Sequence, residues 1–377
     1  MADTLINGRV LTPRGLEPAT VRLEGGRIAE VRAQAAGDRG LDLAGGYLVP
    51  GFIDTQVNGG GGVLFNEATT AEAIATIGAA HRRFGATGFL PTFISDDLSA
   101  VARAIAAADA ALAAGVPGVL GIHIEGPFLN ASRKGIHDAS KFRVLDDEAF
   151  GLLTSLKRGR TLVTLAPEAT TPQMIRRLVS AGVVVAAGHT NADYDTIRAA
   201  LDAGMTGFTH LFNAMSPMAS REPGAVGAAL DDQESWCGLI ADGRHVHPAV
   251  LRVALRARPL SRSMLVTDAL AGVGMVEKTF TLQGRTIRVV DGVCVDENGT
   301  LAGSDLDMAS AVRNIMRMGD LPLADAVAMA SSAPAAFLGL SAELGAIAPG
   351  FRADLVQLDA ELKVVRTWIG GEAQAAD

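Results

Sequence analysis

The stretch GFIDTQVNGGGG, residues 51–62, marks the point where the texture of the chain changes. Ahead of it, residues 1–50 are short apolar runs broken by glycines: TLINGRV, then VRLEGGRIAEV with a turn at Gly25 and Gly26, then LDLAGGYLVP. Such runs read as strands joined by tight turns, because glycine enters left-handed conformations without steric cost. From Gly51 to about residue 335, apolar strand-like runs alternate instead with Ala-rich amphipathic stretches. The strand runs are FIDTQVN, TGFLPTF, VLGIHIEG, LVTLAPE, VVVAAGHT, GFTHLFN, CGLIADG and SMLVTDA, with helical stretches such as AEAIATIGAAHRRFG, SAVARAIAAADAALAAG and PAVLRVALRARP between them. Eight strand and helix units in series predict an α/β protein with a closed (β/α)8 TIM-like barrel, since right-handed crossovers carry such a series round into a ring. A doubly wound open sheet is the weaker alternative. No G-x-G-x-x-G follows the first strand, which removes the usual reason to prefer it.

Two segments break the alternation. Residues 278–303, KTFTLQGRTIRVVDGVCVDENGTLAG, are expected to be a β-hairpin inserted in a barrel that spans 51–335. Residues 336–377, which contain AIAPGFRADLVQLDAELKVVRTWIGG, are expected to join residues 1–50 in one small β-sandwich domain built from both chain ends.

Composition narrows the function. Of the 377 residues, 49% are hydrophobic and only 5% aromatic, which suits helices wrapped on buried parallel strands. The formal net charge of -8, with no cluster of Lys and Arg, speaks against a nucleic-acid partner. Cys237 and Cys294 are too few for a disulfide framework or a thiolate metal site. No basic leader precedes an apolar stretch, and no apolar run of about 18 residues occurs, so a cytoplasmic protein without membrane insertion is expected.

In a barrel, groups at the carboxyl ends of the strands converge on one mouth. Here the third strand ends at Glu125, the fifth at His189, the sixth at His210 and the eighth at Asp268. Two imidazoles and a carboxylate suit a divalent ion of the zinc type, leaving a coordination position for water or substrate. On the first strand, alternation puts Asp54, Gln56 and Asn58 on one face.

The motifs HIEGPFLN, AAGHTNA, THLFNAM, ADGRHV, LVTDA and LAGSD occur in that order between residues 123 and 305. With VPGFID near residue 49 and APGFRADLVQLD near the end, they make the chain resemble the amidohydrolase superfamily and, within it, the N-acetylglucosamine-6-phosphate deacetylases. Many amidohydrolases carry His-x-His on the first strand to hold an additional metal, and Gln56 and Asn58 stand in those places. Neutral amides are poor ligands for such an ion. The resemblance therefore implies one divalent metal, Zn2+ first with Fe2+, Mn2+ or Co2+ as alternatives, held by Glu125, His189 and His210, with Gln56 positioning water. It implies Asp268 as general base and then general acid in acetamide hydrolysis. For substrate contacts it implies Ile136 and His137 in RKGIHDAS, Asn213 and Ala214 after His210, Arg221 in SREPGAVG, His245 in DGRH, and Leu301, Ala302 and Gly303. It also implies a homodimer whose phosphate site is shared between subunits. His123, two residues before Glu125, is expected to be a buried neighbour of the site, and His81 and His247 to be structural or exposed. Another amidohydrolase without phosphate contacts, and a non-catalytic scaffold on the same fold, remain as alternatives.

Overall fold

The computed structural model of the chain describes residues 3–290 and 292–376. Eight parallel strands follow one another in chain order around the sheet: Phe52–Val57, Ala86–Ile94, Gly121–Glu125, Arg160–Leu165, Val184–Ala187, Gly207–Phe208, Trp236–Ile240 and Ser263–Val266. All eight strand runs read from the sequence are strands. Each is followed by a helix on the outside: Ala71–Arg82, Leu98–Ala113, Asp147–Leu153, Pro172–Ser180, Tyr194–Asp202, Gly224–Asp231, Pro248–Ala257 and Met308–Gly319. Their apolar faces bury Ile74, Val101, Ile105, Leu178, Ile197, Leu251 and Val312 against the strands. Leu98–Ala113 is a long helix because alanine dominates it and no glycine or proline interrupts it.

The ring closes where the last strand meets the first. Asp268 N donates to Gln56 O at 3.0 Å, and Asn58 N and Gly59 N both donate to Ala269 O at 2.9 Å. Beneath these bonds lies Asp54, fully buried, which accepts from Gln56 N and from the hydroxyl and amide of Thr267. The opposite end of the barrel is plugged by the helix Ser332–Phe337 and the turn after it, whose Phe337, Leu338 and Leu344 pack on Ile53, Leu90, Leu162 and Met264. Gly207 makes this possible: a Cβ there would lie 2.7 Å from the Phe337 ring.

Both chain ends form the expected small β unit. One eight-stranded sheet contains Asp3–Thr12, Gly15–Glu24, Arg27–Ala33, Leu41–Asp42, Tyr47–Pro50, Leu355–Leu358, Val364–Ile369 and Glu372–Ala375. It rolls back on itself through Ile28 N to Phe351 O and Ala353 N to Gly26 O, both 2.9 Å. The layers enclose Leu5, Val21, Ile28, Leu48, Leu355 and Trp368.

The inserted segment differs from the expected single hairpin. It is a four-stranded antiparallel meander, Thr279–Leu282, Arg285–Val290, Val293–Val295 and Leu301–Ser304. Its glycines Gly284, Gly292 and Gly299 all have φ of 77–79°, so each turns the chain back once and the segment crosses itself three times rather than once.

Burial pushes the Asp54 carboxyl up to about 7, against the hydrogen bonds from Thr267 and Gln56 that favour its ionised form. Between the ordinary carboxylate range and pH 7 the folded chain holds a proton here that the unfolded chain releases, so this group's contribution to stability falls as pH rises. Asp54→Asn removes that dependence. The melting temperature of the variant minus that of the wild type should be higher at pH 8 than at pH 5, with at most about 4 kcal/mol in play. An identical difference at both pH values would contradict the assignment.

Candidate active site

The carboxyl ends of the strands surround a cavity of about 400 Å³. Glu125 is the last residue of the third strand, whereas His189, His210 and Asp268 each lie two residues beyond theirs. These three adopt left-handed backbone conformations, with φ of 47°, 31° and 53°. Non-glycine residues rarely do so, and such strain gathers at sites where geometry is imposed by function. Here the reversal turns each side chain inward over the barrel mouth.

Three donor atoms converge. Glu125 Oε1 lies 3.1 Å from His189 Nε2 and 3.0 Å from His210 Nε2, and the two nitrogens are 3.2 Å apart. His189 Nδ1 donates to the Arg133 carbonyl at 2.8 Å, which fixes the tautomer and leaves Nε2 with a lone pair. Two imidazole nitrogens and a carboxylate oxygen pointing at one spot make a cluster of lone pairs that suits a cation. All three residues are buried, and their ligand atoms lie within 4.8 Å of one another. The donor set fits a divalent ion of borderline softness. In its absence, burial pushes the Glu125 carboxyl up, and the bonds from His189 and His210 outweigh that and hold it well below the usual range. Burial lowers His210, and Glu125 more than reverses it.

Asp268 stands beside this group. Its Oδ1 accepts from Asn58 Nδ2 at 2.7 Å and from Gln56 Nε2 at 3.1 Å, and the same Gln56 amide donates to Glu125 Oε2 at 3.1 Å. The two amides of the first strand thus tether the eighth-strand carboxylate and leave Oδ2 free of protein partners among the described residues. Burial first, and then the Glu125 charge, push the Asp268 carboxyl up to about 6.

His137 lies across the cavity, its ring centroid 4.4 Å from that of His189. Its Nδ1 is held by Ser95, 2.7 Å from Oγ and 3.4 Å from N–H, so Nε2–H is the donor directed at the cavity. Burial keeps the ring neutral by holding its pKa well below the ordinary value. Deeper still, His123 sits between Thr92 and Thr164 hydroxyls, and burial lowers it to about 4, as fits a buried neighbour. His81 is buried and bonds Gly59 O, and His247 caps a helix, so both are structural.

Of the expected substrate contacts, Ile136, His137, Asn213, Ala214, His245, Leu301 and Gly303 line the cavity. His245 Nδ1 is locked to Asp242 at 2.6 Å. Ala302 points instead into the core under the meander, because alternation along Leu301–Ser304 turns it away from its neighbours. Arg221 is exposed and outside the cavity of its own chain. Three residues with evident roles were not singled out as site residues. Asn58 tethers Asp268. Glu168, an acid just past the fourth strand, accepts from Thr190 Oγ1, Asn191 N and Asn130 Nδ2 and so fastens the loops around His189. Arg133 lines the cavity wall. Glu168 meets the same strand-end criterion that identified Glu125, and that signal would have found it.

Comparison with known proteins finds relatives over nearly the whole chain. The model of the amidohydrolase family matches residues 47–373. An N-acetylgalactosamine-6-phosphate deacetylase of Shewanella sp. (strain ANA-3) is 42% identical, over 97% of this chain and 94% of its own. The crystal structure of N-acetylglucosamine-6-phosphate deacetylase from Pasteurella multocida superposes with a TM-score of 0.96 at 32% identity, covering 100% of both chains. A mutant of the Mycobacterium smegmatis N-acetyl-D-glucosamine-6-phosphate deacetylase, in complex with N-acetyl-D-glucosamine-6-phosphate, superposes with a TM-score of 0.92 at 37% identity, covering 99% of both. No helix among the described residues is long and apolar enough to cross a membrane.

Elemental analysis of the purified chain should find about one divalent ion per molecule, and Glu125→Gln should lose most of it. Two ions at full occupancy would contradict a site in which Gln56 and Asn58 donate rather than ligate.

Proposed function

The chain belongs to the amidohydrolase family, and from that premise we propose that it hydrolyses the acetamide of N-acetylglucosamine 6-phosphate to glucosamine 6-phosphate and acetate. The observation that carries this reading is the convergence of Glu125, His189 and His210 beside a tethered Asp268 in one cavity. Glu125, His189 and His210 would hold one divalent ion, Zn2+ before Fe2+, Mn2+ or Co2+. When bound, the ion polarises the acetamide carbonyl and makes water a stronger acid.

The chain's own groups do the rest. Asp268 Oδ2 takes a proton as the water oxygen bonds to the carbonyl carbon, and returns it to nitrogen as the C–N bond breaks, so that the amine leaves neutral. Gln56 and Asn58 occupy Oδ1 throughout and hold the carboxylate in place. The Nε2–H of neutral His137 supplies a donor to the oxygen on which negative charge develops. Ile136, Leu301 and Gly303 shape the sugar subsite, and Asn213, Ala214 and His245 offer polar groups to it. Ala302 acts from beneath by setting the position of its neighbours.

A homodimer accounts for Arg221: exposed and outside its own cavity, it is free to reach the phosphate held by a partner subunit. A cytoplasmic location is in keeping with two buried, unpaired cysteines. The Shewanella relative favours a second substrate, N-acetylgalactosamine 6-phosphate, which differs in the configuration of one hydroxyl. Incubating the chain with each phosphosugar, with and without a chelator, and measuring free amine decides between them. Release from neither would refute the reading.

Asp268→Asn should keep its metal and lose roughly a hundredfold or more in kcat; near-normal turnover would remove Asp268 from the mechanism. Because Asp268 must be ionised to accept a proton, activity should fall as pH drops through its pKa. The Asn58 amide lowers that pKa, so Asn58→Ala should move the acid limb of kcat/KM to higher pH. An unmoved limb would separate Asn58 from Asp268. Arg221→Ala should raise KM far more for the phosphorylated sugar than for free N-acetylglucosamine.

A further inference from the structure

The charged groups around the cavity are unevenly distributed. Its lining carries the carboxylates of Glu125 and Asp268 beside the imidazoles. Among the described residues no lysine lines it, and Arg133 alone brings a permanent positive charge to the lining. It lies at the end of the short turn Ala131–Arg133 after the third strand. Its Nε donates to Asn191 Oδ1 at 2.9 Å, and no carboxylate lies in ion-pair reach of its guanidinium among the described residues. Of the other cations in the same loop, Lys141 pairs with Asp97 at 2.6 Å and Arg143 with Asp146, while Lys134 is exposed and outside the cavity lining. Arg133 thus keeps four N–H donors on Nη1 and Nη2 for something else.

What surrounds it defines the ligand. Asn191, its partner, follows Thr190, whose N–H donates to Ala214 O at 3.1 Å. Arg133 and the Asn213–Ala214 pair therefore belong to one wall, tied together through the loop that carries His189. The Arg133 carbonyl holds His189 Nδ1, so the guanidinium is built at a fixed place relative to the cluster of donor atoms. An anionic group entering the cavity meets at this wall the one arginine among the described lining residues. A planar fork with free donors is the geometry that grips a phosphate.

We propose that Arg133 is the chain's own contact for the 6-phosphate and sets its preference for phosphorylated over free sugar. The inference rests on the substrate class given above and deepens it, since it assigns the charge recognition to a side chain lining the same cavity and not solely to Arg221 from a partner.

The test compares wild type, Arg133→Ala and Arg133→Lys as metal-loaded full-length proteins. It measures kcat and KM on N-acetylglucosamine 6-phosphate and on N-acetylglucosamine, the metal content, and calorimetric binding of glucosamine 6-phosphate and glucosamine. For Arg133→Ala, KM for the phosphorylated sugar should rise roughly 10-fold to 100-fold, as expected for a lost charge-assisted contact. The change for the free sugar should be much smaller, kcat should move little, and the metal content should stay at the wild-type level. Affinity for glucosamine 6-phosphate should fall in parallel, and Arg133→Lys should recover part of it. Equal effects on both sugars, an unmoved KM, or loss of metal would overturn the proposal and leave Arg133 as a brace for Asn191 and His189. If the wild type released no amine from either phosphosugar, the proposed deacetylase activity would fail instead. Calorimetry would then still decide Arg133: no preference of the wild type for the phosphorylated amino sugar would overturn it.

Discussion

The hydrogen bonds joining the first barrel strand to the end of the eighth support both the fold and the chemistry. The backbone of Asp268 bonds that of Gln56, and the side chains of Gln56 and Asn58 bond the side chain of Asp268. Closing the ring and aiming the carboxylate are therefore one event. Buried Asp54 reinforces the seam by accepting from Thr267, the residue just before Asp268. Burial raises that carboxyl against the very hydrogen bonds it accepts, so the seam is held by a group whose ionisation is costly in a place that water does not reach.

The site works against its own burial. Imidazoles and two carboxylates share a mouth with little access to solvent, and Glu125, His137 and Asp268 are shifted differently by burial and by their partners. Glu125 is held ionised, His137 neutral, and Asp268 is raised towards the range where a carboxyl both takes and gives a proton near neutrality. Similar groups acquire different tasks because Ser95, Gln56, Asn58 and the Arg133 carbonyl each restrict what one of them can do.

Much of this was legible in the sequence. Eight apolar runs with helices between them read correctly as strands because buried parallel strands are nearly continuous in apolar residues, and the ionisable groups that end them stand out against that background. Glu125, His189, His210 and Asp268 came from this contrast. Asn58 stands out in the sequence only as a residue where a histidine is common, since nothing in one strand reveals that its partner lies 210 positions away. In the sequence the meander reads as a hairpin, since Gly284, Gly292 and Gly299 show their reversals only once each has its positive φ. The motif LAGSD groups Ala302 with its neighbours because a motif does not show which side of a strand faces the cavity. Arg221 and Arg133 show the opposite limit: both are arginines in loops, and only the three-dimensional arrangement separates the one that lines the cavity from the one that does not.

The meander enters the chain between the eighth strand and its helix, and it contributes Leu282, Thr300, Leu301 and Gly303 to the cavity wall. It is fastened to the rim at carbonyl oxygens, Gln283 to Ser95 and Arg285 to Ile136. Glu125, His189, His210 and Asp268, by contrast, come from strand ends of the barrel. Cavity shape and the cluster of donor atoms therefore sit on separate pieces of polypeptide, so that drift in the insert can reshape what the cavity admits while the cluster stays under different constraints.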